Sequence, residues 1–196
     1  DAGTGKLSLT GFDLNLGIQT SINASVEISG AITLPSKLFG EIISKLSNDS
    51  PITLEVEDIS SQVHLSSKNS TYQVRSMSAD DFPELPIVEN SVSLKVNASN
   101  FANALKSTLF ASSSDEAKQV LTGVNLNFKG NSLKAAATDG HRLAVLELDN
   151  VISIANEIQS DFNESIELTI PSKSLRELEK FLSNCNSKTE INFFYD

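Results

Sequence analysis

Two distant stretches of the chain share one pattern, and any fold has to accommodate both. One runs LPSKLFGEIISKLSN from Leu34 and the other IPSKSLRELEKFLSN from Ile170. Seven of the fifteen positions are identical: Pro, Ser, Lys, Glu, Leu, Ser and Asn. A repeat of this kind means that one supersecondary unit is used twice. Both copies carry apolar residues at helical spacing: Leu38, Phe39, Ile42, Ile43 and Leu46, then Leu175, Leu178, Phe181 and Leu182. Each helix opens at a proline, which is tolerated there because a first-turn N–H has no intrahelical acceptor. Each sits between stretches of strand-like alternation. The hairpins before them align loosely and place Asp13 opposite Asp139.

Period-two alternation fills much of the remainder. Leu7, Leu9, Leu14, Leu16, Ile18, Val26, Ile28 and Ile32 read as half-buried strands, followed by Ile52–Val56, Val63–Leu65 and Tyr72–Val74. Asp80–Pro86 is a turn-rich crossing, after which the pattern restarts with a strand at Ser91–Val96. Asn97 or Ser99 caps a helix bearing Phe101, Leu105 and Leu109. Strands are expected at Val120–Phe128, Leu133–Ala137, Arg142–Leu148 and Glu190–Tyr195, with polar connections at Ala111–Glu116 and Asn150–Ser165. The expectation is an α+β chain of two similar domains, 1–90 and 91–196. The first copy lacks the opening helix that the second has at Asn97–Ala111, and the second lacks closing strands. With no initial Met and an apolar end at Phe193-Phe194-Tyr195, the chain reads as a fragment.

Chemistry is sparse. There are two histidines and one cysteine in 196 residues. No spacing resembles a zinc or calcium site, no phosphate loop is complete, and no cofactor motif is present. Asp139 and His141 in Thr138-Asp139-Gly140-His141-Arg142-Leu143 could orient a catalytic base, but no G-x-S-x-G elbow accompanies them. Asp139-Gly140 reads better as a hairpin turn. A single cysteine suits a reducing cytoplasm. No apolar run approaches the length of a membrane span. The formal charge of −10 argues against a bulk basic footprint. The distribution says more: segments 35–48, 97–112 and 171–184 carry net +3, leaving −13 elsewhere.

Ala137-Thr138-Asp139-Gly140-His141-Arg142-Leu143-Ala144, Asp81-Phe82-Pro83, the two Pro-Ser-Lys helix openings and Leu9-Thr10-Gly11-Phe12-Asp13-Leu14 together resemble the bacterial replicative sliding clamps, the β subunits of DNA polymerase III. The resemblance covers essentially the whole chain. It implies repeated clamp domains with antiparallel sheets outside and helices on the inner face. Two subunits, each of three such domains, would close head to tail around duplex DNA and tether polymerase without chemistry of their own. The resemblance places a peptide-binding pocket for polymerase and clamp-loader motifs at Leu121, Thr138, Gly140, His141, Arg142 and Leu143. It places DNA-facing cations at Lys37, Lys118 and Lys173, and a dimer contact at Tyr72 and Val74. Lys45, Lys106, Arg176 and Lys180 are weaker DNA candidates, placed by helix alone. A surface or structural β-rich repeat protein is the alternative, suggested by Ser/Asn content and by N-x-S triplets such as Asn23-Ala24-Ser25 and Asn97-Ala98-Ser99.

Overall fold

A computed structural model describes residues 2–3, 5–47, 49–57, 61–68, 70–88, 92–154 and 165–195. The chain divides into two compact units, Asp1–Pro86 and Ile87–Asp196. Both are α+β, with antiparallel sheets and few helices.

The first unit begins with β1 (Ala2–Gly3), β2 (Lys6–Phe12) and β3 (Gly17–Asn23), paired in that order. The β2–β3 register runs from Lys6 opposite Asn23 to Phe12 opposite Gly17. β4 (Ile32–Thr33) leads into α1 (Ser36–Lys45). β5 (Thr53–Glu57), β6 (Gln62–Ser67) and β7 (Ser70–Arg75) form a meander, and β8 (Met77–Ser78) pairs back onto β4. Strict alternation on β6 buries Val63 and Leu65, and these join Ile42, Leu46 and Val74 as the core. Of the α1 stripe expected from sequence, Phe39, Ile42, Ile43 and Leu46 pack there, while Leu38 is turned to solvent.

Several expectations fail in this unit, among them a half-buried Ile18, since every position of β3 is exposed. Val26 and Ile28 form no strand; the segment between β3 and β4 is irregular and Ile28 is 88% exposed. Leu14 and Leu16 lie in the β2–β3 turn rather than on a strand, Leu14 at φ 72° and exposed. In both places alternation of residue type persists where no neighbouring strand is available to pair.

The second unit opens with β9 (Val92–Asn97), the centre of a sheet with β13 (Ile152–Ile154) on one side and β15 (Glu190–Tyr195) on the other. Asn97 ends the strand and caps α2 (Ala98–Thr108), its side chain accepting from Asn100 N–H at 3.1 Å. A 3₁₀ turn, Leu109–Ala111, closes that helix, and further 3₁₀ turns run over Glu116–Thr122 with a break at Lys118. β10 (Gly123–Lys129), β11 (Ser132–Thr138), β12 (Leu143–Leu148) and β14 (Ile166–Pro171) make a second sheet, ordered β12-β11-β10-β14. α3 (Ser172–Leu182) follows β14 directly. Phe101, Leu105, Val124, Leu126, Phe128, Leu133 and Leu175 fill the core between helices and sheets.

The strand expected from Val120 starts at Gly123 instead. Thr122 Oγ1 donates to Gln119 O at 2.7 Å and holds the chain in a turn, leaving Val120 81% exposed. The connection expected at 150–165 contains β13 at its start, while residues 155–164 fall outside the described residues, as does Ser91. The sequence-expected domain boundary at residue 90 also lies outside them.

Candidate functional site

The β11–β12 hairpin is tipped by Asp139–Arg142, and one carboxylate shapes it. Asp139 Oδ1 accepts from the backbone N–H of His141 at 2.9 Å and of Arg142 at 3.0 Å. Asp139 Oδ2 accepts from Arg142 Nε at 2.9 Å. These two backbone donors, then the Arg142 side chain, hold the Asp139 pKa down at about 2, because each stabilises the ionised form. Thr138 Oγ1 donates to Arg142 O at 2.7 Å and accepts from Gly140 N at 3.1 Å. Gly140 sits at φ 91°, a left-handed backbone that favours glycine. The Asp139 carboxylate thus engages backbone and guanidinium, in place of the His141 pairing that a catalytic dyad would use.

This turn organises most of the residues singled out from sequence. Thr138 pairs with Leu143 at the start of the ladder, and Ala137 with Ala144. Ala137 and Ala144 face the core, so the opposite pleat turns Thr138 and Leu143 outward. Leu143 is 68% exposed, and Val145, two residues on, is 50% exposed. His141 and Arg142 are exposed. Arg142 Cζ lies 5.7 Å from the ring centre of Phe110, itself 56% exposed on the turn after α2. That distance falls within cation–π range. Leu121 is half-buried in the segment that follows, and its carbonyl accepts from Ser113 N at 2.8 Å. Sequence reasoning passes over Phe110; an aromatic that breaks the apolar spacing at the end of a helix is the available signal.

The first unit repeats the turn. Asp13 Oδ1 accepts from Asn15 N at 3.0 Å and from Leu16 N at 2.7 Å, the same i+2 and i+3 donors that Asp139 uses. The loose alignment of Asp13 with Asp139 is therefore a correspondence of local structure. Leu14 takes the left-handed place of Gly140.

Lys37 and Lys173 are each the second residue of their helices, α1 and α3, and both are exposed. Lys118 is exposed at the break in the 3₁₀ segment, with φ −104° and ψ 58°. None of the three forms an ion pair with a described residue. Two of the weaker candidates are engaged otherwise. Lys180 Nζ pairs with Glu177 at 2.8 Å, and Arg176 Nη2 donates to Leu109 O at 3.1 Å.

The residues expected at a dimer contact, Tyr72 and Val74, lie on β7. Val74 is 2% exposed and belongs to the first unit's core, with Tyr72 packed against it. Among the described residues β7 has β6 as its one neighbour, so its free side offers backbone N–H and C=O groups. The Asn97 triplet is committed to structure as well: Nδ2 donates to Ser187 O at 2.8 Å while Oδ1 caps α2. Among the described residues no group of three or more His, Cys, Asp or Glu could hold a metal ion, and no helix is long and apolar enough to cross a membrane.

Comparison with known proteins covers both units. The family model for the N-terminal domain of the DNA polymerase III beta subunit matches residues 1–86, and that for its central domain matches residues 95–195. The beta sliding clamp of Synechococcus elongatus is 48% identical over 197 residues, spanning 100% of this chain and 50% of that protein. That of Synechocystis is 41% identical, spanning 94% and 49%. Among solved structures, a Pseudomonas aeruginosa DNA polymerase sliding clamp with ligand aligns with TM-score 0.86 and 26% identity, over 100% of this chain and 50% of that one. A Bacillus subtilis sliding clamp aligns with TM-score 0.81 and 27% identity, over 97% and 49%. The chain spans about half the length of these relatives.

Proposed function

The chain belongs to the DNA polymerase III beta subunit family, and from that premise we propose that the protein is a sliding clamp, a non-catalytic processivity factor of the cytoplasm. It encircles duplex DNA as a head-to-tail homodimer and tethers the replicative polymerase and clamp loader. The observation that carries the tethering role is the hairpin tip. A turn fixed by Asp139 through the His141 and Arg142 N–H groups presents Leu143, 68% exposed, at the start of β12. An exposed apolar wall on a rigid frame suits short linear motifs whose hydrophobic anchors need a preformed seat. Leu121, Thr138, His141 and Arg142 complete this face of the site.

For DNA, the exposed cations Lys37, Lys118 and Lys173 support sequence-independent attraction to phosphate, which weakens as salt rises. For dimerisation, the free side of β7 supports strand-to-strand pairing with a partner, with Tyr72 and Val74 stiffening the strand from behind. The test of encirclement uses the full-length protein on nicked circular DNA. It should remain bound through gel filtration and slide off once the circle is linearised; retention on linear DNA with open ends would sink the topological reading. Docking has a separate check. Leu143→Asp should weaken binding of a peptide from the polymerase's C-terminal tail by about tenfold or more, with the circular dichroism unchanged.

A further inference from the structure

Arg176 is a cation on the polar side of α3 whose guanidinium reaches another element. Its Nη2 donates to Leu109 O at 3.1 Å and lies 3.5 Å from Ser112 Oγ. Leu109 is where α2 gives way to its 3₁₀ turn. Carbonyls at a helix C-terminus lack intrahelical partners and carry the negative end of the helix dipole. A guanidinium from a neighbouring helix is therefore a strong cap at this place. The Leu109 carbonyl also accepts from Ser112, through Oγ at 2.8 Å and through the backbone N–H at 3.3 Å, so among the described residues Arg176 is the one donor that reaches it from another helix. Phe110, the residue clamped between these contacts, is the ring under Arg142. Arg142 in turn is bound to Asp139. An unbroken physical line leads from α3 through the α2 turn to the hairpin tip.

From this geometry we infer that Arg176 is a positioning residue of the peptide-docking surface, acting through Phe110 on Arg142. The inference rests on reading the hairpin tip as that surface. Arg142 has a long side chain, and two anchors fix it: the Asp139 carboxylate at one end and the Phe110 ring at its face. A side chain ordered before a ligand arrives costs the complex less when it forms. Loosening the turn that carries Phe110 removes one of these anchors and leaves the guanidinium held by Asp139 alone. Arg176 thus serves the site without touching the peptide, and its grip on Leu109 takes it out of the set of cations available to DNA.

The test is a double-mutant cycle in the full-length protein, read by fluorescence anisotropy of a labelled peptide from the polymerase's C-terminal tail. Arg176→Met should weaken the peptide about threefold to tenfold. Arg176→Lys, which keeps one donor, should recover part of that loss. In a Phe110→Ala background Arg176→Met should have no further effect on affinity, although it should still lower the melting temperature. Three results would overturn the inference: a lower melting temperature with unchanged affinity, additive losses in the two backgrounds, or weakened DNA binding with peptide binding intact. Leu143→Asp serves as the control. If that variant also leaves affinity unchanged, the docking surface itself is misplaced; if it alone abolishes binding, only the role of Arg176 fails.

Discussion

Asp13 and Asp139 build the same turn with different second residues, and that difference is testable. Leu14 sits at φ 72° where Gly140 sits at φ 91°. A leucine Cβ crowds the following carbonyl in this region, at a cost of roughly 1–2 kcal/mol. Leu14 is 74% exposed, so replacing it removes little packing. Leu14→Asn, a residue more tolerant of left-handed backbone, should raise stability by about 0.5–1 kcal/mol in urea unfolding. The Asp139 turn makes a prediction about pH. Its carboxyl is held at about 2, below the ordinary value of 3.8. A depressed acid stabilises the fold fully above its unfolded pKa, and that contribution fades as pH falls from about 3.8 toward 2. Carbon-detected NMR titration should place the Asp139 midpoint near the lower value, and Asp139→Asn should raise the amide exchange rates of His141 and Arg142 at neutral pH. A midpoint at the ordinary value would mean that the turn is not held as described.

Elements differ in how far their sequences announce them. α1, α2 and α3 are readable because most of each apolar stripe buries against a core made within the same unit, although Leu38 and Phe181, expected on those stripes, are exposed, and the Asn97 cap is readable from its type. β6, β11 and β15 are readable from alternation. Alternation misleads at Val26 and Ile28, since pairing requires a neighbour that sequence does not locate. It misleads again at Val120, where the Thr122 side chain holds a turn. β13 is only Ile152-Ser153-Ile154, an alternation too short to distinguish from a loop until β9 is seen beside it. Gly123 illustrates an element decision that becomes clear only in three dimensions. A Cβ there would meet Thr169 Cγ2 at 2.7 Å and Ile170 O at 2.9 Å, both on β14. Gly123→Ala should therefore force β10 and β14 apart and destabilise the second unit by about 1–3 kcal/mol in denaturant unfolding.

At the scale of the whole molecule the two units are unequal. Twenty buried apolar residues make the second core and five make the first, among the described residues. The β2–β3 hairpin adds no buried residue, and every position of β3 is exposed. Because burial sets most of the favourable free energy, the 196-residue chain should unfold in two steps. Hydrogen exchange should find β5, β6 and β7 opening before β10 and β11. Charge is also a property of the whole: the helix-bearing segments carry net +3 within a chain of −10. On the DNA-encircling reading proposed above, neutralising Lys37 and Lys173 together should lower the salt slope of the full-length protein's DNA binding by about 2. The hairpin tip is the most legible part of the site, being contiguous in sequence. The contacts of Phe110 and Arg176 are not legible, because they join residues far apart in the chain. The tip has one more property that follows from its bonds. Every hydrogen bond described for the turn, from Thr138 to Arg142, begins and ends inside that short segment. The backbone of the turn is thus portable: grafted onto another antiparallel hairpin, it would carry its own geometry and leave behind only the Phe110 ring over which Arg142 lies.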